Sequence, residues 1–491
     1  MQKVFLLSLG CAKNQVDSER LAAALEGWGY ELAESVEEAG VAIVNTCGFI
    51  RPATEESIRA ILQLEGLKEK GRLERIGVVG CLLNRYGEQL KKELPSVDFW
   101  AEAEDWGLLG EMLAEGASYC PERRKGLPGS SPWSRYLKIA EGCDNRCSYC
   151  TIPSIRGRMR SLPPDFLARE AFELVRQGAR EICLVAQDLT AWGMDLFGKR
   201  SLPLLLREVE GAVPEGTWLR LLYLHPSGID DALLEQVLNS NRLLRYLDIP
   251  VQHADSAVLA RMNREIPPDR LEEIFSRIRQ ADPDFALRTT VMVGHPGEDE
   301  AAFGKLLDFM ASVRFDRLGA FEFSPEEGTA SATFRDKVPQ KTKKRRLDRL
   351  MRLQEEISLE RPSRCFQSDS LLEVAYRREE AKTRSGGSNP PPRFLNASGA
   401  KAPLRTSRRH SRAASIPLMA TQPSQWFHEP FESYHRCPPI VPARKAGLEK
   451  TTGERGSPPT PLGFGLVERA SPCAPRSCPA GEGGGKAGRP P

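Results

Sequence analysis

Apolar runs that end in a cysteine recur three times in the first hundred residues: VFLLSLGC leads to Cys11, VAIVNTC to Cys47 and RIGVVGC to Cys81. Each run is short and rich in aliphatic or β-branched residues, the pattern of a strand. The intervals of 36 and 34 residues suit one strand, one crossover helix and the turn back, which predicts parallel strands in one sheet. The intervening signals are helical: residues 17–25 are rich in Glu, Leu and Ala, and residues 53–69 space Ile58, Ile61, Leu62 and Leu64 along a face. In an open α/β sheet the loops after the strand ends share one edge, where ligands bind, so the three cysteines are expected at the same edge.

A Pro/Gly/Ser stretch over residues 121–132 reads as a linker. Beyond it six strand-like runs alternate with amphipathic ones: RYLKIAE, EICLVAQD, WLRLLYLHP, LRYLDIPVQ, FALRTTVMVG and RLGAFEFSP, with helical patterns at 166–177, 231–238, 271–279 and 301–312. Six consecutive strand–helix units predict a parallel sheet curling into an incomplete (β/α)6 barrel. A last helix is expected near 341–359, with KTKKRR giving it a basic exposed side. After about residue 375 the periodicity stops, and 18 of the 37 prolines lie from Leu371 onward among Ser, Arg and Gly. That composition predicts disorder. The expected organisation is therefore an α/β domain at 1–120, a linker at 121–132, a partial barrel at 133–362 and a largely disordered basic tail at 363–491.

The net charge of +3 hides an asymmetry: Leu371 to Pro491 holds 19 Lys+Arg against 9 Asp+Glu, leaving 50 against 57 before it. The opening MQKVFLLSLGC imitates a lipoprotein signal, but its apolar run from Val4 to Leu9 is shorter than the roughly 7 to 15 residues of a secretory core. No apolar stretch approaches the roughly 20 residues of a membrane span. Twelve cysteines in a secreted chain would suggest disulfides, yet a chain of this length needs no such staples, and six of them are placed like ligands. A cytoplasmic location is expected.

The sharpest motif is Cys143-x-x-x-Cys147-x-x-Cys150 within YLKIAEGCDNRCSYC. Four-iron clusters usually take four thiolates, and this loop supplies three. The fourth iron would stay open, able to bind the amino and carboxylate groups of S-adenosylmethionine beside a reductant that cleaves it. A structural zinc site would want a fourth Cys or His nearby, and none lies between Lys138 and Arg160. Cys11, Cys47 and Cys81 could each be an ordinary buried cysteine taken singly. Together on one edge, with Gly10, Gly48 and Gly80 beside them to let the backbone approach closely, they predict a second cluster, again with one iron free to hold a sulfur. Cys183 lies in a strand and reads as core, Cys120 lies in the linker, and Cys365, Cys437, Cys473 and Cys478 belong to the tail or its approach. His225, His253 and His295 fall at or just past barrel strand ends, where sites form in such folds.

These residues resemble the radical S-adenosylmethionine methylthiotransferases, and within them the RimO family. The matching strings are SLGCAKNQVDSE, VNTCGFI, VVGCL with Asn84-Arg85-Tyr86, LKIAEGCDNRCSYCTIPSIRGRMRS, LVAQD, LDIPVQH and VGHPGE, spanning residues 2 to about 360. The resemblance implies an auxiliary four-iron four-sulfur cluster on Cys11, Cys47 and Cys81 and a radical cluster on Cys143, Cys147 and Cys150. It implies methylthiolation of the β-carbon of one aspartate in the twelfth small-subunit ribosomal protein. One S-adenosylmethionine would supply the methyl group and a second the radical that removes hydrogen. Tyr149 fills the position where family members contact the adenine, and Gln187 and Asp188 are further expected cofactor contacts. An electron donor is implied. A tRNA adenosine methylthiotransferase shares both trios, but the charge of about −7 over residues 1–370 suits a basic ribosomal protein better than tRNA. Family members end in a small TRAM barrel. Here LLEVAYRREEAK echoes its first strand and no period-two alternation follows, so the tail is expected to be foreign sequence, read in a shifted frame, with impaired substrate docking as its consequence.

Overall fold

The structure, a computed structural model, describes residues 2–114, 119–120, 122–264 and 266–360. The first part runs β1 (Gln2–Ser8), α1 (Ala12–Gly27), β2 (Tyr30–Leu32), β3 (Val41–Thr46), α2 (Arg51–Glu69), β4 (Arg75–Gly80), α3 (Cys81–Glu93), β5 (Phe99–Ala101) and α4 (Trp106–Leu113). Its sheet has the order β2-β1-β3-β4-β5 with every pair parallel. The three cysteine-ended runs form its centre. The three-residue edge strands β2 and β5 are additions that so short a pattern does not reveal. All six residues of β3 are buried, because helices cover both faces. Ile43 and Val79 pack with Leu21, Leu25 and Trp106 on one side. Val44 and Val78 pack with Ile61, Leu64 and Leu82 on the other.

The second part runs β6 (Ser134–Lys138), β7 (Ala140–Glu141), α5 (Ile152–Arg156), β8 (Arg160–Ser161), α6 (Pro164–Arg176), β9 (Glu181–Val185), α7 (Met194–Phe197), α8 (Leu202–Ala212) and β10 (Trp218–Leu221). It continues through α9 (Asp231–Asn239), β11 (Leu243–Asp248), α10 (Ser256–Arg261), α11 (Pro268–Ala281), β12 (Ala286–Val293), α12 (Glu300–Val313), β13 (Arg317–Glu322) and α13 (Gln340–Glu360). Its six strands pair in chain order, β13-β12-β11-β10-β9-β6, all parallel, with β6 and β13 as edges. This is the incomplete barrel that the six units predict. Outward-facing Leu184, Leu219, Leu247 and Val291 pack against Leu167, Leu205, Leu234, Ile274 and Phe303 of the helices. Cys183, Val185, Leu222 and Tyr246 line the concave side, where Ala12 of α1 joins them. The run RYLKIAE is not one strand. It breaks at Ile139 because β7 turns away to pair antiparallel with β8, and that turn delivers the chain into the Cys143 loop. Helix α8 fills a connection for which the sequence pattern named no helix, burying Leu202, Leu205, Leu206 and Val209.

Helix α1 is unusual in burying charge. Asp17, Glu19 and Arg20 are almost completely covered. Arg20 pairs with Glu170 at 3.1 Å, and Glu19 takes Arg135 at 2.7 Å together with Arg124. Lys138 binds Asp17, Glu104 and Glu141 at once. Arg124 lies in the stretch expected to be a linker, and its burial ties that stretch to both sheets. Removing one partner from such a buried pair costs about 3–5 kcal/mol, so the network fixes the first sheet against the second. No helix among the described residues is long and apolar enough to cross a membrane. The expected tail, its TRAM-like echo at 371–382 and Cys365, Cys437, Cys473 and Cys478 lie outside the described residues.

Candidate functional site

The strand-to-helix turns of the first sheet place the first trio. Cys11 is the residue that caps α1, Cys81 is the first residue of α3, and Cys47 follows β3 directly. Two of the three therefore sit at helix N-termini, where unpaired N–H groups and the helix dipole favour negative charge. Glycine allows the convergence: a Cβ at Gly10, whose φ is +95°, would stand 2.8 Å from Cys47 Cβ, and one at Gly48 would stand 2.9 Å from the Cys81 carbonyl oxygen.

Asn14 joins the trio from α1. Its Nδ2 donates to the Leu9 and Thr46 carbonyls, both at 2.9 Å, which fixes its Oδ1 at 4.0 Å from Cys11 Sγ and 3.7 Å from Cys81 Sγ. Arg156, from the second sheet's α5, completes the arrangement. Its Nε donates to Cys81 Sγ at 3.1 Å and its Nη2 to Asn14 Oδ1 at 2.6 Å, while Nη1 holds Asp17 and Glu141 at 3.0 Å each. Burial, then the proximity of Cys11 and Cys81, pushes the Cys47 thiol up to about 12. Burial also raises Cys81, against the opposing pull of Arg156. Two buried thiols, each raised further by the nearby Cys11, converge with that exposed third cysteine into a donor set that fits a metal cluster.

The second trio lies on the loop between β7 and α5. Gly142 lets that loop start, since a Cβ there would fall 2.1 Å from the Arg158 carbonyl oxygen. Main-chain bonds then pin the loop: Cys143 N–H to Gly157 O at 3.2 Å, Ser148 N–H to Met262 O at 2.9 Å, and Ser331 N–H to Ser148 O at 2.8 Å. Burial moves Cys143 up to about 11 and Cys150 up to about 12, with the neighbouring thiols adding to the shift. Arg264 Nη1 lies 3.8 Å from Cys147 Sγ, and its Nη2 donates to Pro250 O at 2.6 Å. This donor set, too, fits a cluster beside a fixed cation. Tyr149 is raised by its burial and packs against the barrel's core.

Gln187 and Asp188 sit just past β9. Asp188 Oδ2 accepts from Asn145 Nδ2 at 2.7 Å, and its Oδ1 accepts from the Thr190 N–H and hydroxyl at 2.9 and 2.7 Å, so its carboxylate braces the cysteine loop. Gln187 donates to Glu141 at 2.6 Å and keeps a buried Oε1 without a partner. His295 lies behind the loop, with Nε2 at 3.4 Å from Ser148 Oγ, and burial lowers it to about 4. His225 contacts Ser227 Oγ at 2.8 Å and is lowered to about 3 by burial and Arg264. His253 is fully buried 3.5 Å from Glu298. The carboxylates of Asp17, Glu104 and Glu141 gather within 4.8 Å of one another, but Lys138 already pairs with all three.

The two trios are tied together. Thr151, next to Cys150, donates to the Phe49 carbonyl at 3.0 Å, two residues beyond Cys47. Asn84 donates to Ile155 O at 3.1 Å. Arg85 reaches Gly48 O at 2.7 Å and Glu326 at 3.2 Å. The quoted Asn84-Arg85 motif is thus a clamp between the two halves. Sequence reading missed Asn14, Arg156 and Arg264; the first two stand inside the matching strings, and Arg264 carries no local signal.

The uncharacterized protein family UPF0004 matches residues 3–102, and the radical SAM superfamily matches residues 137–310. A ribosomal protein uS12 methylthiotransferase RimO from Geobacter sulfurreducens is 42% identical over 395 residues, covering 78% of this chain and 88% of that protein. The chain belongs to the RimO family. A second RimO, from Pelotomaculum thermopropionicum, is 44% identical over 379 residues, covering 73% of this chain and 83% of its own length. A radical S-adenosylmethionine methyltransferase, TsrM from Kitasatospora setae, shares the fold with a TM-score of 0.50 at 15% identity, over 65% of this chain and 73% of its own. As a RimO-family chain, this protein is a radical SAM methylthiotransferase, and the family implies an iron–sulfur cluster and S-adenosylmethionine.

Proposed function

We propose that this chain methylthiolates the β-carbon of an aspartate in ribosomal protein uS12, with Cys143, Cys147 and Cys150 holding one four-iron cluster and Cys11, Cys47 and Cys81 holding a second. The observation that carries the reading is the pairing of two converged thiol trios across one clamped junction, each with a buried arginine at a cysteine sulfur. Bound there, the two groups would supply one-electron reduction of S-adenosylmethionine and a sulfur for transfer. The protein's own part is positional and electrostatic. Arg156 and Arg264 place positive charge beside Cys81 and Cys147, where thiolates would need it. Asp188, through Asn145, holds the loop from which the second trio projects, and Thr151 and Arg85 fix its distance from the first. Tyr149 and Gln187 are the groups we assign to S-adenosylmethionine, Tyr149 by its place between Cys147 and Cys150 and Gln187 by its unpartnered buried oxygen. The acidic balance of residues 1–370 supports a basic ribosomal protein as substrate, and a cytoplasmic reaction is the reading that accords with such a substrate.

Mass spectrometry tests this after anaerobically reconstituted protein, S-adenosylmethionine, sulfide and a reductant are incubated separately with uS12 and with tRNA. A methylthio increment on a uS12 aspartate is expected. Modification of tRNA alone would replace this substrate, and 5′-deoxyadenosine without either product would mean that the radical machinery works while substrate docking does not.

A further inference from the structure

Two residues after Cys11, the first turn of α1 carries Lys13, whose ammonium leaves its own sheet. Its Nζ lies 3.4 Å from the Ala186 carbonyl oxygen and 4.4 Å from the centre of the Tyr223 ring. Both landmarks belong to the C-terminal mouth of the barrel. Ala186 directly follows β9 and precedes Gln187 and Asp188, the residue that braces the Cys143 loop. Tyr223 follows β10 with φ at +63°, a left-handed backbone that tyrosine rarely adopts, and its N–H donates to buried Asp248 at 3.3 Å. Lys13 therefore stands where the first trio's helix meets the mouth that presents the second trio.

The other charges at this junction already have partners. Arg156 holds Asp17 and Glu141, Lys138 holds three carboxylates, and Asp248, which feels the charge of Lys13, is paired with Arg288 at 3.0 Å. Lys13 forms no salt bridge with any described residue. It has one long carbonyl contact and an aromatic face, although its ammonium carries three donors. A half-buried cation with donors to spare, held over a ring at the mouth of a site, fits a small anion.

The geometry points to Lys13 as the specificity residue that takes the side-chain carboxylate of the substrate aspartate. This rests on the function proposed above. The carboxylate is one bond from the β-carbon that loses hydrogen, so fixing it fixes the reacting carbon at the mouth between the two trios. An asparagine in its place offers a neutral amide and forfeits the charge-assisted bond, a loss of about 10- to 100-fold in binding. The carboxylate of S-adenosylmethionine is the competing anion, and the test separates the two.

The experiment uses the full chain, reconstituted anaerobically, as wild type, Lys13→Met and Lys13→Arg. The probes are uS12 and uS12 with its target aspartate replaced by asparagine. The readouts are KM and kcat for methylthio transfer, the dissociation constant of S-adenosylmethionine, and iron per chain. Lys13→Met is expected to keep its iron and its affinity for S-adenosylmethionine, to raise KM for uS12 by about tenfold or more, and to bring the preference for aspartate over asparagine close to unity. Lys13→Arg should recover most of both. An unchanged KM and preference in Lys13→Met would overturn the proposal, as would an equal loss of S-adenosylmethionine affinity. Failure of the wild type itself on uS12 would remove the underlying function, and the proposal with it, before any variant is compared.

Discussion

Arg156 offers the sharpest test of how the second sheet reaches into the first trio. It is 7% exposed, and its four contacts divide between Cys81, Asn14 and the carboxylates of Asp17 and Glu141. Arg156→Gln removes a positive charge from the sulfur it touches at 3.1 Å. At a charge separation of about 5 Å and an effective dielectric of about 20, one unit charge is worth about 3 kcal/mol. That is a little over two decades in a one-electron equilibrium, or about 140 mV at about 59 mV per decade. Asp17 and Glu141 cancel part of the guanidinium's charge, so a fall of about 50–140 mV in the auxiliary potential is expected, because hydrogen bonds and positive charge at the sulfurs favour the reduced form. The assay is an EPR-monitored redox titration in a background where Cys143, Cys147 and Cys150 are alanine, leaving only the auxiliary trio. Arg156→Gln also strips a buried pair, at about 3–5 kcal/mol, so Arg156→Lys serves as the folded control. Its ammonium keeps the charge but loses the fork, and a smaller fall is expected. A potential within about 20 mV of wild type in Arg156→Gln, at full iron content, would refute the reasoning.

Further outcomes follow from the same structure. Cys147→Ala should abolish 5′-deoxyadenosine formation, and retained formation, read by liquid chromatography, would contradict the role given to the second trio. Cys47→Ala should spare that cleavage but stop methylthio transfer; normal sulfur insertion by this variant would remove the auxiliary trio from the reaction. Burial alone would raise Glu19, but Arg124 and Arg135 outweigh it and hold its pKa below 4.5. Its stabilisation is therefore present above about pH 4.5 and lost as pH falls through the lower folded value. Urea unfolding of metal-free protein should show Glu19→Gln destabilised at pH 7, with the gap to wild type narrowing below pH 4.5; a gap independent of pH would mean the charge is not what matters. Arg85 and Glu326, both nearly buried at 3.2 Å, should couple in a double-mutant cycle by about 1–3 kcal/mol, whereas additive losses would show that they act independently.

Much of the fold was legible because its determinants are local. Cysteines 36 and 34 residues apart at the ends of apolar runs predict parallel strands with one shared edge, and β1, β3 and β4 are those strands. The six barrel runs likewise appear in chain order. What escaped was decided by distant partners. The helical signal at 17–25 carries nothing about the burial of Asp17, Glu19 and Arg20, which are covered because Arg124, Arg135, Lys138, Arg156 and Glu170 meet them from far along the chain. The break at Ile139 went unseen because β7 owes its existence to pairing with β8, which no run of seven residues announces. The cysteines could be picked out by spacing alone, whereas Arg156 and Arg264 reach their sulfurs only through the fold.

The central claim is that one chain carries two clusters on two separate trios, and iron per chain measures it most directly. Anaerobically reconstituted wild type should bind about eight irons, and each triple variant, Cys11/Cys47/Cys81 to alanine or Cys143/Cys147/Cys150 to alanine, should bind about four with its own EPR signal. About four irons in the wild type, or no loss on replacing Cys11, Cys47 and Cys81, would contradict it.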